Sequence, residues 1–317
     1  MSETFGSGEY TYRAVEGWAK WPEDWNLHDV AAVGIDKKDN VYAFHRGDHP
    51  MVVFDRDGNV LRTWGEGVFK HAHGVHMGPD EAIYLTDDYD HTVRKCTLDG
   101  KVLLTIGIPG EAKPFMSGEP FRKCTHTALS PSGDIYVSDG YGNARVHKYS
   151  PSGKLLFSWG QPGAGPGEFN LPHSVWVHTD STVWVCDREN DRIQIFSPTG
   201  EHLRTWTNVR RPGDLFIQPD NSVVVGEMSW EKGQTSLAGN IWPDDYDAEV
   251  SIRDIDGNVL AKWGEKDPCG PGGFSSPHGL WVDSKGSIYV AEVTHTALSR
   301  YNRWHEGCHS IVKYARI

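Results

Sequence analysis

One position in this chain recurs six times, and it is occupied alternately by histidine and by a residue that cannot bind a metal. The segments Ala72-His73-Gly74-Val75, Pro172-His173-Ser174-Val175 and Pro277-His278-Gly279-Leu280 each precede, by ten residues, a strand opening Ile83-Tyr84, Val183-Trp184 or Ile288-Tyr289. Ala31, Thr125 and Gly213 hold the same place ahead of Val41-Tyr42, Ile135-Tyr136 and Val223-Val224. Successive slots lie 42, 52, 48, 40 and 65 residues apart. A repeat of that length, with three or four short strands per copy, is the sequence mark of propeller blades. One blade cannot bury both faces of its sheet alone, so the copies must stack and close.

The turns carry the same period. Asp55-Arg56-Asp57-Gly58-Asn59 returns as Leu98-Asp99-Gly100-Lys101, Ser150-Pro151-Ser152-Gly153, Ser197-Pro198-Thr199-Gly200 and Asp254-Ile255-Asp256-Gly257. Gly, Asn and Asp tolerate the positive backbone angles that tight hairpins demand. A short apolar strand follows, usually ending in an aromatic-glycine pair such as Trp64-Gly65, Trp159-Gly160 or Trp263-Gly264. The 35 glycines, 13 tryptophans, 12 tyrosines and 11 phenylalanines fit an all-β chain packed sheet on sheet.

Two strands lack hairpin partners, Tyr10 to Val15 and Ser310 to Tyr314. Pairing them would close the ring and remove two exposed edges. The expected fold is therefore an all-β, six-bladed β-propeller, a single domain over 1–317 closed by its terminal strands. Residues 1–20 would carry the closing strand. Residues 228–248 read as a polar, Trp-bearing insertion in the fifth blade, placed to form a rim or lid.

The formal charge of −12 offers no basic stripe for nucleic acid. No apolar run approaches the ~20 residues of a membrane span. Met1 to Tyr10 lacks the basic and apolar regions of a secretion signal. The five cysteines, Cys96, Cys124, Cys186, Cys269 and Cys308, are odd in number and scattered, with neither paired zinc spacing nor a disulfide framework. On these grounds the chain is expected to be cytoplasmic and reduced.

In a closed six-blade ring His73, His173 and His278 would stand about 120° apart around the axis, a trigonal set with open positions, catalytic rather than structural coordination of a divalent ion. Imidazole suits several such ions, so zinc, iron, manganese and cobalt all stay open. A single Pro-His-Gly is more often a turn whose imidazole bonds nearby backbone; three in strict alternation favour a shared ligand set. A second slot, in the hairpin after each inner strand, carries Arg46 in His45-Arg46-Gly47-Asp48-His49. It carries Tyr141 in Ser138-Asp139-Gly140-Tyr141 and Arg188 in Asp187-Arg188-Glu189-Asn190. The arginine fork grips carboxylates, and a tyrosine beside a cation can move protons. Asp139, Asn143, Asp187 and Asn190 read instead as turn caps.

With those residues laid out, the chain resembles the peptidyl-α-hydroxyglycine α-amidating lyases, six-bladed propellers of NHL-repeat type, from about Val30 to its end. The resemblance implies zinc on His73, His173 and His278, catalysis by Arg46, Tyr141 and Arg188, and a carboxylate-bearing peptide or small-molecule substrate. The implied reaction splits an N-acyl α-hydroxyglycine into an amide and glyoxylate. The family's structural Ca2+ would use backbone oxygens matching Val33 and Val75 and an Asp directly after the third zinc histidine. That position is Gly279, which weighs against calcium, and Gly142 replaces a family half-cystine. The alternative function is a non-catalytic NHL propeller that binds a protein or ligand on its top face; a propeller hydrolase of the lactonase kind ranks last, since the slots hold no carboxylate.

Overall fold

The computed structural model describes residues 3–26, 28–236, 239–300 and 302–317. Among them the chain forms six antiparallel sheets in the order of the repeat, a six-bladed β-propeller as its turns and apolar strands predict. Blade one, for instance, runs Val30–Ile35, Val41–His45, Met51–Phe54, Val60–Trp64. The first three of its strands are buried and the fourth half-exposed, the gradient expected when only the last strand of a blade faces water. The sixth sheet has five strands. Tyr10–Val15 lies antiparallel on Ile311–Arg316, with Tyr12 opposite Arg316 and Val15 opposite Lys313, and Phe5–Ser7 adds outside it. The two strands without hairpin partners thus pair with each other.

The chain divides into two compact units. The first comprises residues 1–66, 213–232 and 243–317; part of its core joins Trp18, Val30, Val41, Phe54 and Tyr289. The second comprises residues 67–212 and 233–242. There one core cluster joins Tyr84, Phe121, Val137 and Tyr149, and another joins Tyr136, Phe169, Val185 and Phe196.

Two features add to the sequence reading and a third corrects it. Between Ile288–Glu292 and Ile311–Arg316 the sixth blade carries a short helix, Thr294–Ser299. The insertion 228–248 has only isolated bridges, Trp230 with Tyr246 and Thr235 with Ile241; Leu237 and Ala238 within it lie outside the described residues. The expectation of five unpaired cysteines is corrected: Cys269 and Cys308 form a disulfide, leaving Cys96, Cys124 and Cys186 as buried thiols. The cysteines therefore no longer argue for a reducing compartment. No helix of the described residues is long and apolar enough to cross a membrane.

Candidate functional site

The slot histidines stand where the ladder slips. In the second blade Ala72 pairs with Asp87 and Gly74 with Thr86, so His73 is an extra residue on its strand. His173 is skipped in the same way between Pro172 and Ser174, and His278 between Pro277 and Gly279. Ala31 occupies the same kind of bulge in blade one. A bulge re-aims the side chain of its extra residue out of the alternation that otherwise governs a strand.

Two of the rings have their tautomer set by the backbone. His73 Nδ1 donates to the carbonyl of Thr125 (2.6 Å), and His278 Nδ1 to that of Ala31 (2.7 Å). A carbonyl only accepts, so Nδ1 carries the proton and the neutral ring presents its lone pair at Nε2. Anchoring of one ring nitrogen by a backbone carbonyl is the usual support of a metal-binding histidine. Thr125 and Ala31 are themselves slot residues, so a non-ligand slot serves a ligand slot.

In the second unit four of the predicted residues meet. Tyr141 Oη lies 3.1 Å from His73 Nε2 and 3.3 Å from His173 Nε2, and the two imidazole rings are 5.0 Å apart. The lone pair at His73 Nε2 makes the phenol the donor in that bond. The buried Arg188 guanidinium stacks over the Tyr141 ring at 5.7 Å. Its Nε donates to Glu189 Oε1 (2.8 Å), and Arg211 Nη2 donates to the same oxygen (3.0 Å).

Burial alone would lower the Arg188 pKa, but the Glu189 carboxylate and the Tyr141 phenol outweigh it and the guanidinium is held above its usual range. Arg211 goes the other way, to about 10, through burial and the neighbouring Arg188 cation, with Glu189 opposing. Burial raises Glu189, yet the two arginines prevail and hold it below the usual range.

In the first unit Arg46 Nη1 reaches Asp29 Oδ2 (3.3 Å), and its own amide bonds the Asp29 carbonyl (2.9 Å). Asp29 is fixed in turn by the amide (3.0 Å) and hydroxyl of Thr296. His278 is buried on Pro277–Val282, held by Ala31 as above.

Glu189 and Arg211 were not singled out from sequence. Their partners explain why. Trp242 from the insertion stacks on Arg211 at 5.2 Å, and its Nε1 donates to Asp191 Oδ2 (2.7 Å). Asn240 Nδ2 donates to the Glu189 carbonyl (2.6 Å). A non-repeating segment thus braces the arginine pair, and nothing periodic announces it.

A periodic signal does exist for a second group, of which the sequence reading singled out Asp139 and Asp187. Fourteen residues after each slot stands His45, Asp87, Asp139, Asp187, Glu227 or Glu292. In five blades this side chain accepts backbone amides from the loop leading to its own slot. The donors are His28 to His45, Lys70 and His71 to Asp87, Arg122 to Asp139, Asn170 to Asp187, and Ser275 and Ser276 to Glu292. Asp139, Asn143, Asp187 and Asn190 are accordingly structural, as their sequence context implied; Asn143 bonds Asp139 and Asn190 bonds Asp187, each at 2.8 Å.

No family model matches the chain. It is similar to NHL repeat-containing protein 3 of Homo sapiens, 30% identical over 308 residues covering 92% of this chain and 84% of that protein. It is also 30% identical over 325 residues to peptidyl-alpha-hydroxyglycine alpha-amidating lyase 1 of Drosophila melanogaster, covering 89% of this chain and 58% of that protein. Among solved structures, virginiamycin B lyase from Staphylococcus aureus superposes with a TM-score of 0.59 at 14% identity, covering 93% of this chain and 97% of that one, a likeness of fold alone. Alternating slots, bulged histidines and the relatives at 30% identity converge: the chain belongs to the NHL-repeat propeller family that contains NHL repeat-containing protein 3 and the peptidyl-α-hydroxyglycine α-amidating lyases.

Proposed function

We propose that this protein is a metal-dependent carbon-nitrogen lyase that splits an N-acyl α-hydroxyglycine, or a related small carbinolamide, into an amide and glyoxylate. The amidating lyases among its relatives support an enzyme of that family. The observation that carries the finer reading is the pair of imidazole Nε2 atoms, His73 and His173, meeting at one phenol oxygen under a buried arginine.

His73, His173 and His278 would hold the ion, zinc by the chemistry of a three-imidazole set. The donor set fits: all three are buried, and in His73 and His278 the backbone leaves the lone pair at Nε2. Bound there, zinc would supply Lewis acidity towards the substrate oxygens.

The remaining work falls to the chain. Tyr141 takes the proton of the substrate hydroxyl; the Arg188 cation above its ring favours the phenolate needed for that. The electrons of the hydroxyl oxygen form the aldehyde of glyoxylate as the carbon-nitrogen bond breaks, and Tyr141 returns the proton to the departing amide nitrogen. Arg188 and Arg46 would orient the substrate carboxylate, a role for which the planar fork is suited. No electron leaves or enters, so no organic cofactor is required.

His173→Ala should lose bound metal and glyoxylate release from α-hydroxyhippurate together. Glyoxylate release at an undiminished rate from metal-free protein would sink the metal-dependent reading. A folded, metal-bearing protein that turns over no carbinolamide would favour a non-catalytic binding propeller instead.

A further inference from the structure

The disulfide has a third potential ligand beside it. Cys269, Cys308 and His305 offer two sulfurs and one imidazole nitrogen, all within 4.8 Å of one another. The three belong to two loops of the first unit. Cys269 follows Val259–Trp263, its amide bonded to Asp267 Oδ1 (3.1 Å). His305 and Cys308 share one turn, closed by Cys308 N–H donating to the His305 carbonyl (3.0 Å) and Gly307 N–H to His305 Nδ1 (3.2 Å).

The site is reachable. Both cysteines line a cavity of about 750 Å3, together with Trp18, Trp25, Trp304 and His309. His305 is exposed and the two cysteines are partly so. The other thiols differ: Cys96, Cys124 and Cys186 are buried, and burial pushes Cys96 up to about 11 and Cys124 well above the usual thiol range. Among the cysteines, redox and thiolate chemistry therefore falls to this one pair.

We propose that Cys269, His305 and Cys308 are a second metal site, open in the dithiol form and closed by the disulfide. Two thiolates and one imidazole are the ligand types that select zinc and related soft divalent ions, with the fourth position left to water. Closure needs a two-electron oxidant, and a low-molecular-weight disulfide suffices. One cysteine thiolate attacks it, forming a mixed disulfide and expelling one thiolate. The second cysteine thiolate attacks that bond, forming the 269–308 disulfide and expelling the other. The ion then loses two of its three protein ligands and departs.

The test uses the full chain, reduced with a water-soluble phosphine under anaerobic conditions and titrated with Co2+ while the sulfur-to-cobalt charge-transfer band is followed. That band requires thiolate ligation, so cobalt on the three slot histidines contributes nothing to it, and the outcome is independent of the lyase reading. The reduced chain should develop the band and the oxidised chain should not. Cys308→Ser should abolish it. His305→Ala should raise the half-saturating Co2+ concentration by at least about tenfold, the effect even outer-shell partners have on metal affinity. A pair that resists reduction in the folded protein, or a reduced chain without the band, overturns the proposal and leaves a structural disulfide. The band persisting in Cys308→Ser, or an unchanged midpoint in His305→Ala, overturns it as well.

Discussion

Glu189 stands between two guanidinium groups, Arg188 at 2.8 Å and Arg211 at 3.0 Å, with all three side chains nearly inaccessible. Glu189→Gln keeps the shape but withdraws the only negative charge described between those cations. Removing one partner from a buried ion group costs about 3–5 kcal/mol. The variant should unfold at a clearly lower denaturant midpoint, and a midpoint equal to that of the parent would show that the triad is not coupled in this way. At this scale the histidines were legible because they repeat, as were Tyr141 and Arg188 because the hairpin slot repeats too. Arg211 was not: it flanks a slot, but its meaning comes from Trp242 and Asn240, which the insertion delivers from outside the period.

For the blades as elements, period and turn chemistry were enough to place the strands, since short apolar runs and Asp/Gly turns are local signals. The bulges were not readable, because one extra residue in a ladder shows only when both strands and their register are known. Gly279 illustrates the consequence. A Cβ there would lie 2.6 Å from Ala32 Cα, in the backbone of the neighbouring Val30–Ile35 strand. The missing aspartate noted from sequence therefore coincides with a place that has no room for a side chain. Gly279→Ala should cost about 1–3 kcal/mol through overpacking, read as a lower melting temperature. Gly279→Asp should be no better, and calcium should not restore it; a calcium-dependent rise in its melting temperature would count against this account.

Closure of the sixth sheet by the chain's two ends belongs to the molecule as a whole. It was legible because each terminal strand lacked a local partner, and an unpaired edge is costly to leave open. Deleting residues 1–15 would strip Ile311–Arg316 of its neighbour and remove the buried Phe5 and Tyr12, rings that pack on Tyr314 and Trp263. Burying an aromatic ring stabilises by about 1.5–3 kcal/mol, so the melting temperature should fall by roughly 10 °C, with increased aggregation. A truncated chain that melts with the parent would refute the role of closure. The Cys269–Cys308 pairing was beyond reach of the sequence: the two are separated by 39 positions and share no motif, so only the folded loops bring them together.

Ala31 and Thr125 hold the histidines by their main-chain oxygens. Every ordinary amino acid carries that atom, so a substitution here tests only the buried side chain, at Thr125 its bonds to Ser138 and Pro172, while the carbonyl in use goes untested. An ester replacing the amide whose carbonyl belongs to Ala31 would weaken the acceptor without altering any side chain, and would expose a dependence that nineteen conventional replacements conceal.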